Sequence, residues 1–307
     1  MTVRIAAIDF GTNTARLLIA SMDESGCFEH LHVERQIVRL GGGFCRERGL
    51  SSEALKRATD CLARFAEIIS VYGVTSVRAV ATSAVRDAVN GQAFVDAVLS
   101  RFGILLNVID GDTEARLALA GVAAGLDHPC PDMLLFDIGG GSTEYTLVQN
   151  NRTEFTSSLP LGVVRLTEGK VTVESIQDKI RRELEGLVTL MASGGHAVKP
   201  ASVLIGTAGT ATTLAAISMQ MQDYDYRRIN NSVVTRKQVQ TIFDRLLPLS
   251  PEERLKVPGL EKGREDLIIA GTLITIQTMD LFGMERMQVS DYGLLEGLVV
   301  AGGFLDD

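Results

Sequence analysis

The chain has 307 residues, 46% of them hydrophobic, which suits one large unit or, as the starting expectation, two domains of about 120 to 180 residues. Apolar runs such as 17–20 and 117–124 stop well short of the roughly 20 residues a membrane helix needs, so no span and no membrane partner is expected. With 30 Lys and Arg against 38 Asp and Glu, the formal net charge of −8 argues against a general nucleic-acid binder, while a local arginine cluster can still hold an anion.

The N-terminus enters directly as a strand at 3–10, without the basic segment and apolar core of a secretory signal, which points to a cytoplasmic address. A turn at 11–14 and strands at 16–22 and 28–39 complete a meander, with His30 and His32 alternating as on an exposed strand face. After Gly41-Gly42-Gly43, Ser51-Ser52-Glu53 opens an amphipathic helix whose Ala54, Leu55, Ala58, Leu62, Phe65 and Ile69 recur at helical spacing. A strand at 76–81, helices at 83–90 and 92–101, a strand at 105–109 and a helix at 113–124 follow. Asp127-His128-Pro129-Cys130-Pro131 continues no regular element and marks a boundary. Domain I is expected at 1–125 and domain II at 126–293, with a closing helix in 294–307 packing back on domain I.

Beyond the boundary the plan restarts: strands at 133–138, 144–149 and 153–159, a helix at 173–192, a strand at 202–205, a turn at 206–210 and a helix at 211–221. Cys27, Cys45, Cys61 and Cys130 lie far apart and form no C-x-x-C pair, so they read as free thiols, and the histidines form no His-Glu-x-x-His site.

The repetition extends to residues. Ile8-Asp9-Phe10-Gly11-Thr12-Asn13-Thr14 aligns without a gap on Phe136-Asp137-Ile138-Gly139-Gly140-Gly141-Ser142. Either copy alone reads as a plain hairpin, but two copies that each open a domain-sized half point to a duplicated fold. Glycines let such turns bring backbone N–H groups to a phosphate, with hydroxyls as uncharged donors, which singles out Thr12, Asn13, Thr14, Gly140, Gly141 and Ser142. The neighbouring Asp9 and Asp137 are costly beside a polyanion unless a hard cation screens them, which implies Mg²⁺ or Mn²⁺. Gly206-Thr207-Ala208-Gly209-Thr210 runs from a strand into a helix, so Gly209 and Thr210 suit phosphate as well as they suit a simple capped connection. A strand follows Gly139-Gly140-Gly141 where a dinucleotide fingerprint needs a helix, and no Walker A pattern occurs.

In order along the chain, Ala7–Leu17, Ala81-Thr82-Ser83-Ala84-Val85-Arg86-Asp87, Gly111-Asp112-Thr113-Glu114-Ala115-Arg116, Asp137–Glu144, Gly206–Thr210 and Pro258-Gly259-Leu260 resemble the motifs of the exopolyphosphatase and guanosine pentaphosphate phosphohydrolase family, in its short two-domain form. That resemblance implies two actin-like (ribonuclease H-like) α/β domains with an interdomain cleft, and metal-dependent removal of a terminal phosphate from inorganic polyphosphate. It also implies Glu114 as the general base, Arg86 as a grip on substrate phosphate, Asp137 and Glu144 as holders of metal or water, and a homodimer. By the residues alone, Glu114 reads more readily as a complement to its helix dipole, while Glu144 has an alternative as an exposed strand residue and Arg86 one as a surface ion pair with Asp87 or another carboxylate. Arg16 reads as a solvated strand residue. Thr113 stands where many relatives carry a second acid, and Leu295 where an arginine is frequent, which puts in doubt any contact that arginine makes. Three alternatives stay open: hydrolysis of guanosine pentaphosphate, a sugar or acetate-type kinase, and a non-catalytic sensor of polyphosphate or of guanosine penta- and tetraphosphate.

Overall fold

The computed structural model describes residues 2–44, 47–169 and 172–301; Cys45 and the end of the expected closing helix, 302–307, lie outside them. In chain order the elements begin β1 (Val3–Phe10), β2 (Thr14–Met22), β3 (Phe28–Ile37), α1 (Ser52–Val71), β4 (Ser76–Ala81), α2 (Ser83–Arg86), α3 (Gly91–Phe102), β5 (Leu106–Val108) and α4 (Gly111–Gly125). They continue with β6 (Met133–Ile138), β7 (Thr143–Gln149), β8 (Arg152–Leu159), α5 (Val163–Gly169), α6 (Val173–Ser193), β9 (Val203–Thr207) and α7 (Ala208–Ser218). The last are α8 (Tyr226–Ile229), β10 (Val233–Thr235), α9 (Arg236–Leu246), α10 (Pro251–Arg254), α11 (Ile268–Leu281), β11 (Arg286–Val289) and α12 (Leu294–Val300). One compact unit joins the chain up to Ala124 with the segment from Gly293 onward; the other runs from Gly125 to Tyr292.

The first unit holds a five-stranded sheet in the order β3-β2-β1-β4-β5, and the second a six-stranded sheet in the order β10-β11-β9-β6-β7-β8. Short turns join the antiparallel strands β1, β2 and β3, whereas β4 and β5 join in parallel after helical crossovers, as parallel pairing demands. Read from its β8 edge, the second sheet repeats this pattern: β8, β7 and β6 antiparallel, then β9 and β11 parallel. Both units are therefore actin-like α/β domains, and the duplication read from two hairpins is a duplication of whole sheets. Among the described residues, no helix is long and apolar enough to cross a membrane.

In the first unit α1 and α3 cover one sheet face, and α12 covers the other. Ser51 caps α1 by accepting the Ala54 N–H at 3.2 Å. Cys61 lies on the buried face of that helix, where burial pushes its thiol up to about 12 and keeps it from reacting as a thiolate. The returning α12 corrects the exposed-face reading of the histidines. A bulge opposite Ile19 and Ala20 breaks the alternation of β3, so His32 turns toward Tyr72 beyond α1. His30 lies on the other face, with Nε2 3.6 Å from the Glu296 carboxylate of α12. Arg78 of β4 donates to Leu298 O (2.8 Å) and Val299 O (2.7 Å), complementing the C-terminal end of α12. Leu295 is buried in this cluster with Ile5, Leu18 and Ile109, so an apolar side chain suits it.

Glycines allow α4 and α12 to touch backbone to backbone: a Cβ at Gly297 would fall on Leu117 O, and one at Gly121 on Gly293 O. Gly297→Ala is expected to destabilise the first unit by about 1–3 kcal/mol, read as a lower urea midpoint at unchanged slope. An unshifted midpoint would show that the helices yield freely.

The second unit is built around α11, which is mostly apolar and is buried on almost every side by α5, α6, α7 and α9. A helix with no wet face has no amphipathic period.

Candidate functional site

In the first unit, pairing of β1 with β2 through Phe10 and Ala15, and the Gly11 N–H to Thr14 O bond of 3.1 Å, place Thr12 and Asn13 at the tip of a tight hairpin. Parallel pairing of β1 with β4 brings the start of α2 alongside, and the Thr12 and Ser83 hydroxyls bond at 2.8 Å. The chain leaving β3 closes over the hairpin: Gly41 N–H donates to Thr12 O (2.9 Å) and Arg39 N–H to Asn13 O (2.8 Å). Because a trans peptide holds its C=O and N–H on opposite sides, fixing these carbonyls turns the N–H groups of Asn13 and Thr14 the other way. The Asn13 amide donates to Thr14 Oγ1 at 3.2 Å, while its buried Oδ1 has no hydrogen-bond partner among the described residues.

Glu114 stands in the first turn of α4. Asp110 sets that turn by accepting the Thr113 N–H at 2.8 Å, while its own C=O takes the Glu114 N–H at 3.0 Å. The Thr113 N–H, helped by the Thr113 hydroxyl, holds the Asp110 carboxyl below its ordinary range. Arg86, ending α2, donates to Ile109 O (2.7 Å) and places Nη1 3.5 Å from Glu114 Oε2. The Asp87 pairing expected for a surface arginine is longer, at 3.9 Å, so Glu114 and not Asp87 is the main acidic neighbour of Arg86.

Asp9 and Arg16 stand opposite one another across the β1–β2 pair. Asp9 Oδ2 accepts from Arg16 at 3.1 Å (Nε) and 2.8 Å (Nη2), which overturns the reading of Arg16 as a solvated residue. It also takes up an oxygen that Asp9 was expected to offer a metal.

The second unit repeats the hairpin with different fastenings. Gly139 N–H bonds Ser142 O at 2.9 Å. Val163 N–H donates to Gly139 O (3.0 Å), and Val164 (2.9 Å) and Arg165 (3.3 Å) donate to Gly140 O, so the N–H groups of Gly140 and Gly141 are aimed away from α5. Gly162 makes this approach possible, since any Cβ there would collide with the backbone of Gly140 and Gly141. Asp137 and Glu144 face one another across β6 and β7. Glu144 is 2% exposed, not the solvated strand residue of the plain reading, and its Oε1 accepts from Ser158 Oγ at 2.7 Å.

At the third loop, Ala208 takes a left-handed φ of 61° as the chain passes from β9 into α7. The Arg264 guanidinium lies in the space a Gly209 side chain would occupy, and Arg264 Nε also pairs with Glu261 at 3.0 Å. Thr210 lies where α7 meets α11. Its side chain packs into the groove left by Gly271 of α11, because α11 approaches α7 too closely for a Cβ there, so Thr210 offers a first-turn N–H and not its hydroxyl.

Each unit thus gathers its own set: Thr12, Asn13, Thr14, Arg86 and Glu114 with Asp9 in the first, and Gly140, Gly141, Ser142, Asp137 and Glu144 with Gly209 and Thr210 in the second. Arg16, Ser83, Ser158 and Arg264 join them unforeseen. Arg16 was open to prediction, as the residue opposite Asp9 in a tight hairpin; Arg264 lies far from Gly209 along the chain and carried no local signal. Within neither unit, among the described residues, do three His, Cys, Asp or Glu side chains gather to hold a metal by themselves.

Residues 18–302 match the Ppx/GppA phosphatase family. Exopolyphosphatase 2 of Mycobacterium tuberculosis (strain ATCC 25618 / H37Rv) is 30% identical, with 97% of this chain aligned to 98% of that protein. A bifunctional 3-dehydroquinate synthase/phosphatase of Fusobacterium nucleatum is 34% identical over 97% of this chain, which spans only 46% of that longer protein. Among solved structures, an exopolyphosphatase of Cytophaga hutchinsonii superposes with a TM-score of 0.87 at 28% identity, covering 99% of this chain and 98% of the other. The Ppx/GppA family member of Aquifex aeolicus gives 0.82 at 29% identity, covering 100% and 99%.

Proposed function

Because the chain belongs to the Ppx/GppA phosphatase family, we propose that it is an exopolyphosphatase, which hydrolyses the terminal phosphoanhydride of inorganic polyphosphate and releases orthophosphate. The observation that carries this reading is the hairpin built twice, each time with its carbonyls tied back so that consecutive N–H groups are presented to a ligand. Donors of this kind suit phosphate oxygens, and they add no charge that would have to be lost when product leaves.

In this reading Glu114 accepts a proton from water, whose oxygen attacks the terminal phosphorus in line as the bond to the bridging oxygen breaks. Arg86 binds a non-bridging oxygen of the same phosphate while restraining the Glu114 carboxylate. Arg16 adds a second cation, oriented by Asp9, so that Asp9 serves as its support and not as a metal ligand. Within each unit further groups suit phosphate oxygens: the turn at Thr12–Thr14 in the first, and the turn at Gly140–Ser142, the N–H groups of Gly209 and Thr210 and the Arg264 guanidinium in the second.

Asp137 and Glu144 fit a hard cation: like charges directly opposite on neighbouring strands repel, and a divalent ion relieves that. When bound, magnesium or manganese would neutralise phosphate charge at those carboxylates, with phosphate oxygens and water supplying the remaining ligands. A homodimer remains an expectation carried by the resemblance alone.

Orthophosphate release from long-chain polyphosphate, tripolyphosphate and guanosine pentaphosphate, each with Mg²⁺ and with chelator, tests the proposal. Release from polyphosphate is expected with Mg²⁺ and its near-complete loss with chelator. Binding without release would instead identify a sensor, and preferential turnover of guanosine pentaphosphate a nucleotide phosphohydrolase.

A further inference from the structure

The two hairpins are tied down by different means, and the difference singles out Arg57. In the second unit the tying groups are the Val163, Val164 and Arg165 N–H groups, which stand in the first turn of α5 and have no partners inside that helix. The corresponding segment of the first unit, the chain leaving β3, forms no helix over its described residues 38–44. It turns through Arg39 at a φ of 44°, a left-handed backbone disfavoured for a residue with a Cβ. Two internal bonds, Gly42 N–H to Arg39 O (2.9 Å) and Phe44 N–H to Gly41 O (3.1 Å), keep it turned without anchoring it to anything else.

Val38 and Leu40 of this segment are buried in the core of the first unit, and α1 adds a polar anchor. Arg57 Nε donates to Val38 O at 2.7 Å and its Nη2 to Arg39 O at 3.0 Å, so one planar guanidinium spans two successive carbonyls. The same segment then reaches Thr12 O and Asn13 O through the Gly41 and Arg39 N–H groups. It sits so close that a Cβ at Gly41 would strike the Thr12 methyl.

We propose that Arg57 is a positioning residue for phosphate binding: through residues 38–41 it sets the carbonyls of Thr12 and Asn13, and so the direction of the Asn13 and Thr14 N–H groups. It touches no substrate itself. The inference rests on the exopolyphosphatase reading for the identity of the ligand, but it concerns binding and is separable from turnover. A lysine keeps the charge and one donor direction but lacks the fork, so it restores only part of the effect.

The test compares wild type, Arg57→Met and Arg57→Lys by calorimetric titration with tripolyphosphate, by steady-state orthophosphate release from polyphosphate, and by thermal melting. Arg57→Met is expected to weaken tripolyphosphate binding and raise KM roughly tenfold, the effect of losing hydrogen bonds from a charged donor, with kcat and the melting midpoint little changed. Arg57→Lys should fall between. Equal affinity in all three proteins overturns the inference. So does a fall in kcat and melting midpoint with KM unmoved, the signature of a merely structural contact. If Arg57→Met fails to melt cooperatively, the lysine variant decides, since its fold keeps the cation. A wild type that binds tripolyphosphate and releases no phosphate sinks the hydrolase reading alone, and one that binds none sinks both.

Discussion

Glu114→Gln is expected to lower orthophosphate release from polyphosphate by at least about a hundredfold, with little change in KM. The substitution keeps the size of the side chain, its place in the first turn of α4 and an oxygen for the Arg86 guanidinium, which lies 3.5 Å from the carboxylate. What it removes is the capacity to take a proton from water. The competing account, in which Glu114 only complements the helix dipole, foresees a different result: a stability loss of about 0.3–1 kcal/mol and a nearly normal rate. Phosphate release and thermal melting on the same preparations separate the two. A variant retaining more than about a tenth of wild-type kcat would remove Glu114 from the chemistry, since general-base losses start near a hundredfold.

Gly162→Ala should be nearly as damaging without touching any group that carries charge. Its Cβ would lie on the carbonyl of Gly140 and the carbonyl carbon of Gly141. Those are backbone atoms, so relief requires the hairpin to move as a body. Misplacing a bound group by about 1 Å can cost on the order of 10²-fold in rate. We expect a loss of that order in kcat/KM, accompanied by a stability cost of about 1–3 kcal/mol from overpacking. Gly186→Ala is the matching control, because it lies within α6 and a Cβ there meets nothing within 4 Å. Its activity should be that of wild type. Full activity in Gly162→Ala would mean that the Gly140 and Gly141 N–H groups do not set the rate.

Legibility in the sequence followed the range of the interaction. The Ile8–Thr14 and Phe136–Ser142 turns were readable because a hairpin is closed by residues within a few positions of each other. The amphipathic α1 was readable because water on one face and core on the other write a period into the chain, with Ala54, Ala58, Leu62 and Phe65 on the buried side. No such period marks α11, which meets protein on nearly every side, and it went unassigned.

Partners distant in sequence were out of reach for a related reason. His30 looked like an exposed strand residue until α12 returned to cover that face of the sheet. Thr210 carries no local sign that its side chain packs against Gly271 of α11, and Arg264 has no local feature that leads to Gly209.

By itself, then, the order of residues determined the duplication and the two hairpins, while Glu114 and Arg86 came only from a resemblance to a family. Tertiary structure alone decided which carbonyls are tied back, where the charges of Arg57 and Arg264 lie, and which polar groups point inward. Backbone geometry repeats over a few bonds and leaves a local imprint, whereas a side chain's neighbours depend on how whole sheets and helices come together.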